Sequence, residues 1–141
     1  MSQANTVILD NEAVQALIDP SHRKHRRLLA AVEAVAARNL RHAGSVRLLV
    51  PTTVRVEACW DRQARGSAAI NQLRVGDVAL DSAAADLATR ARTALGVSVA
   101  DSHIAAVLGT VPGPHAVVTS DAEDIRRIAG MVGVLPTIVN V

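Results

Sequence analysis

Four acidic residues stand at the junctions where an α/β chain usually does its chemistry. Asp10 directly follows a short apolar, β-branched run, Thr6 to Leu9, and Asp121 comes just after a second such run, His115 to Thr119. In an open parallel sheet, residues beyond the strand carboxyl ends gather at the crevice where ligands bind. Glu57 falls in the second turn of the helix expected after a strand at Val46 to Val50, and Asp101 in the first turn of a helix opened by Gly96-Val97-Ser98. Carboxylates converging there without basic partners repel one another unless divalent cations lie between them. Oxygen donors of this kind suit Mg²⁺ or Mn²⁺. Three of the acids also have a plainer reading. Asp10 is placed to cap the helix starting at Asn11, Ser98-x-x-Asp101 has capping-box spacing, and Asp121-x-x-Asp124 has similar spacing. Glu57 fits no cap if Thr53 is the cap residue, and its alternative is a surface face shared with Thr53 and Asp61.

The elements that must position these acids alternate short strands with longer helices, the pattern of an α/β layer fold with a mainly parallel sheet. Strands are expected at Thr6 to Leu9, Val46 to Val50, Asp77 to Leu80, His115 to Thr119 and Thr137 to Val141. Helices are expected at Asn11 to Ile18, from a Ser21 cap to an end by Gly44, and at Thr52 to Ala64 with Val56 and Trp60 on one stripe. Gly66 to Arg74 reads as a looser helical piece, followed by helices at Ser82 to Leu95, Val99 to Gly109 and Ala122 to Met131. In the second helix Leu28, Val32, Val35 and Leu40 fall near one face.

Composition narrows the classes further. The 141 residues suit one domain, 1–141, and half of them are hydrophobic, which excludes a disordered tail protein. The most apolar helical stretch, Leu28 to Ala37, is broken by Glu33, so no membrane span is expected. The opening MSQANTVILD has no basic, cleavable leader pattern, and the lone Cys59 allows neither an internal disulfide nor a cysteine zinc site, so a soluble cytoplasmic protein is expected. Up to Arg74 there are 11 basic and 6 acidic residues, and beyond it 4 basic and 7 acidic, an asymmetry that permits a polyanionic ligand. Trp60 is the only aromatic residue, which argues against the stacking platforms of single-strand binding modules.

The local words resemble the PIN-domain family, at a size similar to the VapC-type toxins of type II toxin–antitoxin pairs. The resemblance rests on VILDNEAVQALI with Asp10, PTTVRVEACW with Glu57, GVSVADSHIAAVLG with Asp101, and HAVVTSDAEDIRRIAG with Asp121. Two positions depart from the family pattern: Asn11 replaces a common small hydroxyl residue, and Ile125 stands where an aromatic is common. The resemblance implies a three-layer α/β/α fold with about five strands. It implies an endoribonuclease that hydrolyses RNA with Mg²⁺ or Mn²⁺ held by Asp10, Glu57, Asp101 and Asp121, with Asp124 as a further candidate. It also implies a small antitoxin protein as partner, and a homodimer.

Weaker readings attach to other residues. The cluster Ser21-His22-Arg23-Lys24-His25-Arg26-Arg27 is either a solvated helix start or a grip on RNA phosphates through Arg23, Lys24, Arg26 and Arg27. His22 and His25 as a metal-free acid–base pair lack any orienting residue. Thr119 and Ser120 are placed to hydrogen-bond a metal ligand or the substrate, whereas His103, His115 and Cys59 read as structural. The alternative function is an inactive or regulatory α/β domain binding RNA or a protein. A receiver-like phosphoacceptor is set aside, since the only lysine is Lys24.

Overall fold

The computed structural model describes residues 5–41 and 46–141. Strand β1 (Thr6–Leu9) is buried along its length, and α1 (Asn11–Ile18) starts at once because Asp10 accepts the Ala13 N–H at 2.9 Å as its N-cap. Helix α2 (His25–Arg41) begins later than its expected Ser21 cap. Asp19 accepts both the N–H and the hydroxyl of Ser21, at 2.9 and 2.7 Å, and this local turn competes with helix initiation there. The expected helix end by Gly44 and the side chain of Leu40 lie outside the described residues.

Strand β2 (Arg47–Pro51) leads into α3 (Thr52–Glu57), which is half the length expected from Thr52 to Ala64. The helix stops because Cys59 adopts a left-handed conformation, φ 57°. Its N–H bonds to Val56 O at 3.2 Å and that of Trp60 to Arg55 O at 2.9 Å, the paired bonds of a Schellman ending formed without glycine. Val56 is consequently exposed, while Trp60 turns inward and is buried, so the expected common stripe does not form.

A 3₁₀ turn at Arg65–Ser67 and the short α4 (Ala68–Asn71) replace the looser helix, and β3 (Gly76–Val78) pairs one residue earlier than expected. Asp81 caps α5 (Ser82–Leu95), and Gly96, at φ 69°, ends it in the conformation that favours glycine. Then come α6 (Val99–Thr110), β4 (His115–Thr119), α7 (Ala122–Val132) and β5 (Thr137–Asn140).

The five strands are all parallel, in the order β3-β2-β1-β4-β5. The chain moves from β1 outward to β2 and β3, then returns to the other side of β1 for β4 and β5. With right-handed crossovers, these two directions place helices on opposite faces and give three layers. Helix α2 lies over the face carrying Val7, Leu48 and Val118, and α6 packs between α5 and α7. The core runs through Ile8, Leu9, Leu17, Ile104, Val117, Ile125 and Ile128. Among the described residues no helix is long and apolar enough to cross a membrane.

Ile8 is fully buried on the central strand, and its replacement by Ala should cost about 2–5 kcal/mol of unfolding free energy. Urea denaturation measures this, with Val56→Ala, 78% exposed in the native protein, as the substitution that leaves the midpoint in place.

Candidate functional site

The strand order reverses between β1 and β4, and their parallel register pairs Leu9 with Val118. The next residues, Asp10 and Thr119, therefore emerge side by side at the carboxyl end of the sheet. Asp10 donates its N–H to Val118 O at 3.1 Å, and its carboxylate, in a residue only 6% exposed, accepts the Ala13 N–H at 2.9 Å and lies beside the Thr119 hydroxyl and the Ser120 N–H, which favour its charged form. Burial pushes this carboxyl above its ordinary range, the hydrogen bonds pull it back, and the charge of Glu12 adds to the rise. Thr119 is fully buried, and its hydroxyl oxygen also accepts the Asp121 N–H at 2.9 Å. One hydroxyl thus links the two acids at the reversal point.

Asp101 reaches the same place from the first turn of α6. Ser98 caps that helix by accepting the Asp101 N–H at 3.1 Å, and its nearby hydroxyl favours the charged carboxylate. Even so, the Asp101 carboxyl is pushed up to about 6, first by burial and then by the negative charges of Asp10, Asp124 and Asp121. Asp121 caps α7 by accepting the Asp124 N–H at 3.2 Å. Asp124 is compensated, pairing with Arg127 at 3.0 Å, while Arg127 also donates to Leu95 O at 3.0 Å. Among the described residues no cationic side chain lies within ion-pair distance of Asp10, Asp101 or Asp121.

Glu57 is placed differently. It is the last residue of α3, it is exposed, and it is not among the leading charges acting on Asp101. The structure therefore brings Asp10, Asp101, Asp121 and Asp124 into one electrostatic group and leaves Glu57 on a neighbouring helix end. The Ser98–Asp101 pairing follows the capping-box spacing read from the sequence, whereas sequence reasoning missed Arg127 as the partner of Asp124, although their i,i+3 spacing was a legible signal.

The basic cluster is tied down through α1. Glu12 takes Lys24 at 3.3 Å and His22 at 3.4 Å, and Lys24 also donates to Val141 O at 2.9 Å. Lys24 is thus already paired, whereas Arg23, Arg26 and Arg27 are exposed. His25 bonds Ala16 O at 2.7 Å and the buried His115 bonds Val111 O at 2.6 Å, both structural contacts. Cys59 is exposed and fills no core space. Between α2 and the sheet lies an apolar groove of about 720 Å³ lined by Leu28, Val32, Val35, Leu48, Val118 and Val139, with Arg27 and Arg38 at its edges.

The donor set fits a divalent cation in one respect and limits it in another. Three carboxylates share uncompensated negative charge, and they are the hard oxygen donors that Mg²⁺ and Mn²⁺ take. Among the described residues no three His, Cys, Asp or Glu side chains close into a ready-made metal cage. The arrangement suits an ion that keeps several of its own waters.

No family model matches the chain, and no curated protein matches it at a significant level. Among solved structures, a chain in the crystal structure of VapBC2 from Rickettsia felis bound to a DNA fragment from their promoter is similar, with a TM-score of 0.61 at 12% identity. The similarity covers 96% of this chain and 98% of that one. The fold is accordingly PIN-like, a three-layer α/β/α arrangement around a parallel sheet.

A carboxyl whose pKa is raised on folding binds its proton more tightly in the native state, so native stability falls as pH rises from the unfolded value toward the folded one. For Asp101 this window runs from 3.8 to about 6. In metal-free buffer, Asp101→Asn should raise the melting temperature at pH 7 relative to the parent protein, and the two should converge near pH 4. Thermal unfolding across that range measures it, and a parent protein that gains stability through the window contradicts the assignment.

Proposed function

We propose that this protein is a metal-dependent endoribonuclease, the toxin of a toxin–antitoxin pair. The observation that carries the reading is the convergence of Asp10, Asp101 and Asp121, without cationic partners, at the strand reversal of a PIN-like fold. Asp10, Asp101 and Asp121 hold Mg²⁺ or Mn²⁺, with Glu57 contributing from α3 and Asp124 from the side through water. A cation bound there supplies Lewis acidity for hydrolysis of an RNA phosphodiester. The chain's own groups set the geometry: Thr119 fixes the Asp10 carboxylate, Ser98 orients Asp101, and the Ser120 N–H holds Asp10 from behind. Arg23, Arg26 and Arg27 meet backbone phosphates without reading sequence.

The partner is a small antitoxin. Its apolar residues lie in the groove between α2 and the sheet, and an arginine from its tail enters the carboxylate group in place of a cation, with charge-assisted hydrogen bonds. The apolar residues of α1, Ala13, Val14, Ala16 and Leu17, are buried in the chain's own core, so α2 carries the docking. The toxin pairs with a second copy of itself.

A second reading, a catalytically silent domain that binds RNA or a protein, is favoured by the exposed position of Glu57 and the absence of a closed cage among the described residues. Cleavage assays separate the two. Purified protein should cut RNA only with Mg²⁺ or Mn²⁺, and Asp101→Asn should reduce the rate by at least about a hundredfold while the circular dichroism spectrum is kept. Cleavage undiminished in excess EDTA excludes the metal mechanism, and no cleavage under any metal condition favours the silent domain.

Asp124, paired with Arg127, should matter less than Asp121. Asp121→Ala should abolish cleavage and Asp124→Ala leave a measurable residue, as followed on a fluorescent RNA. Expression of the chain alone should arrest growth, and co-expression with the product of the adjacent reading frame should relieve the arrest and yield a complex of both by mass.

A further inference from the structure

Thr53 and His103 take no part in the carboxylate group, yet they join the two helices that flank it. The Thr53 hydroxyl, in the first turn of α3, lies 2.8 Å from Nδ1 of His103 on α6. Among the described residues this is the only side-chain hydrogen bond between α3 and α6. The imidazole is fully buried, and its Nε2 feels the Ala79 carbonyl but closes no full-geometry hydrogen bond. A ring placed in the core at this desolvation cost, with Thr53 as its one well-formed partner, marks a position where that bond matters.

Helix α3 has six residues, too few to persist without tertiary anchors. One anchor is the ion pair of Arg55 with Asp77 of β3, at 2.8 Å. The fully buried Val54 is a second, and the Thr53–His103 bond is a third, which alone among the side-chain hydrogen bonds of the described residues fixes α3 relative to α6. The face of α3 carrying Thr53 therefore looks toward α6. Glu57 lies one helical turn further on the same face, and Asp101 lies half a turn from His103 on α6.

We propose that Thr53 and His103 are positioning residues, a strut that sets the spacing of α3 and α6 and so aims Glu57 at the crevice of Asp10, Asp101 and Asp121. The aim at a cation rests on the metal-site reading above, whereas the strut itself does not. The strut gives the exposed Glu57, which stands apart from the carboxylate group in this structure, a held helix end from which its side chain can swing toward a bound cation.

The test separates these two parts. A nitroxide pair is placed on Cys59, the exposed single cysteine just beyond α3, and on Val99→Cys at the exposed start of α6. Pulsed electron resonance should give a narrow distance distribution in this parent, a broadened or shifted one with Thr53→Val, and recovery with Thr53→Ser. An unchanged distribution in Thr53→Val overturns the strut. Mn²⁺ titration of the unlabelled protein should show about a tenfold affinity loss in Thr53→Val, the size expected of a residue that orients a ligand. That loss should vanish in a Glu57→Gln background, and a loss of equal size there overturns the aim at Glu57. A parent protein that binds no Mn²⁺ overturns the metal-site reading and the aim together, while the distance measurement still decides the strut.

Discussion

The pairing of β1 with β4 is the constraint on which the candidate site depends. The two strands are not consecutive in sequence, and more than a hundred residues separate Asp10 from Asp121. Parallel register alone makes them neighbours, by placing Leu9 opposite Val118 so that both chains leave the sheet at one level. A slip of one residue would turn the buried Thr119 hydroxyl to the opposite face and cut the link between the acids. The apolar fill on both sides of β1, with Ile8 and Leu9 fully buried, makes such a slip costly. Core packing and site geometry are therefore the same requirement seen from two sides.

Electrostatics works against that arrangement. Burial raises both Asp10 and Asp101, with the charge of Glu12 adding to the first and those of Asp10, Asp124 and Asp121 to the second, while helix caps and hydroxyl donors stabilise the charged forms. The balance leaves a concentration of negative charge that no cation among the described residues pairs with, in contrast to Asp77, which holds Arg55 and Arg62, and Glu12, which holds Lys24. Charge left uncompensated at a strand reversal is a standing destabilisation, which a ligand of opposite charge would relieve by binding the native state alone.

Much of this was legible in the sequence. The strand limits of β1 and β4 and the whole of α1 and α5 follow from β-branched runs, helical periodicity, the Asp10 cap and the Gly96 stop, and the structure adds Asp81 as the cap of α5. Capping and site membership had looked like competing explanations for Asp10, Asp101 and Asp121. For Asp10 and Asp121 the two are compatible, because each caps a helix that starts at the carboxyl end of a strand and so lies on the wall of the crevice, whereas α6 follows α5 and takes Ser98, not Asp101, as its cap. What was not legible came from contacts that leave no local mark. Helix α3 ends at a Schellman turn whose left-handed residue is Cys59 rather than glycine, so the punctuation that betrays most helix ends is missing. Lys24 reads as a free cation until Glu12 and the Val141 carbonyl are brought to it by the fold. The bond from Thr53 to His103 spans fifty residues and depends on how two helices cross.

That non-glycine ending has an optical corollary. Because the chain turns back at Cys59, Trp60 is pressed beneath Arg62, 4.1 Å from its ring centre, and Arg55, at 5.6 Å, with both guanidiniums bridged by Asp77. The protein has no Tyr and no Phe, so essentially all of its near-ultraviolet emission arises from this one indole. Cation stacking on the ring and the electric field of the bridging carboxylate set the colour and yield of that light. The protein thus carries a native fluorophore three residues from Glu57, whose spectrum follows the seating of α3 against β3 without any label attached.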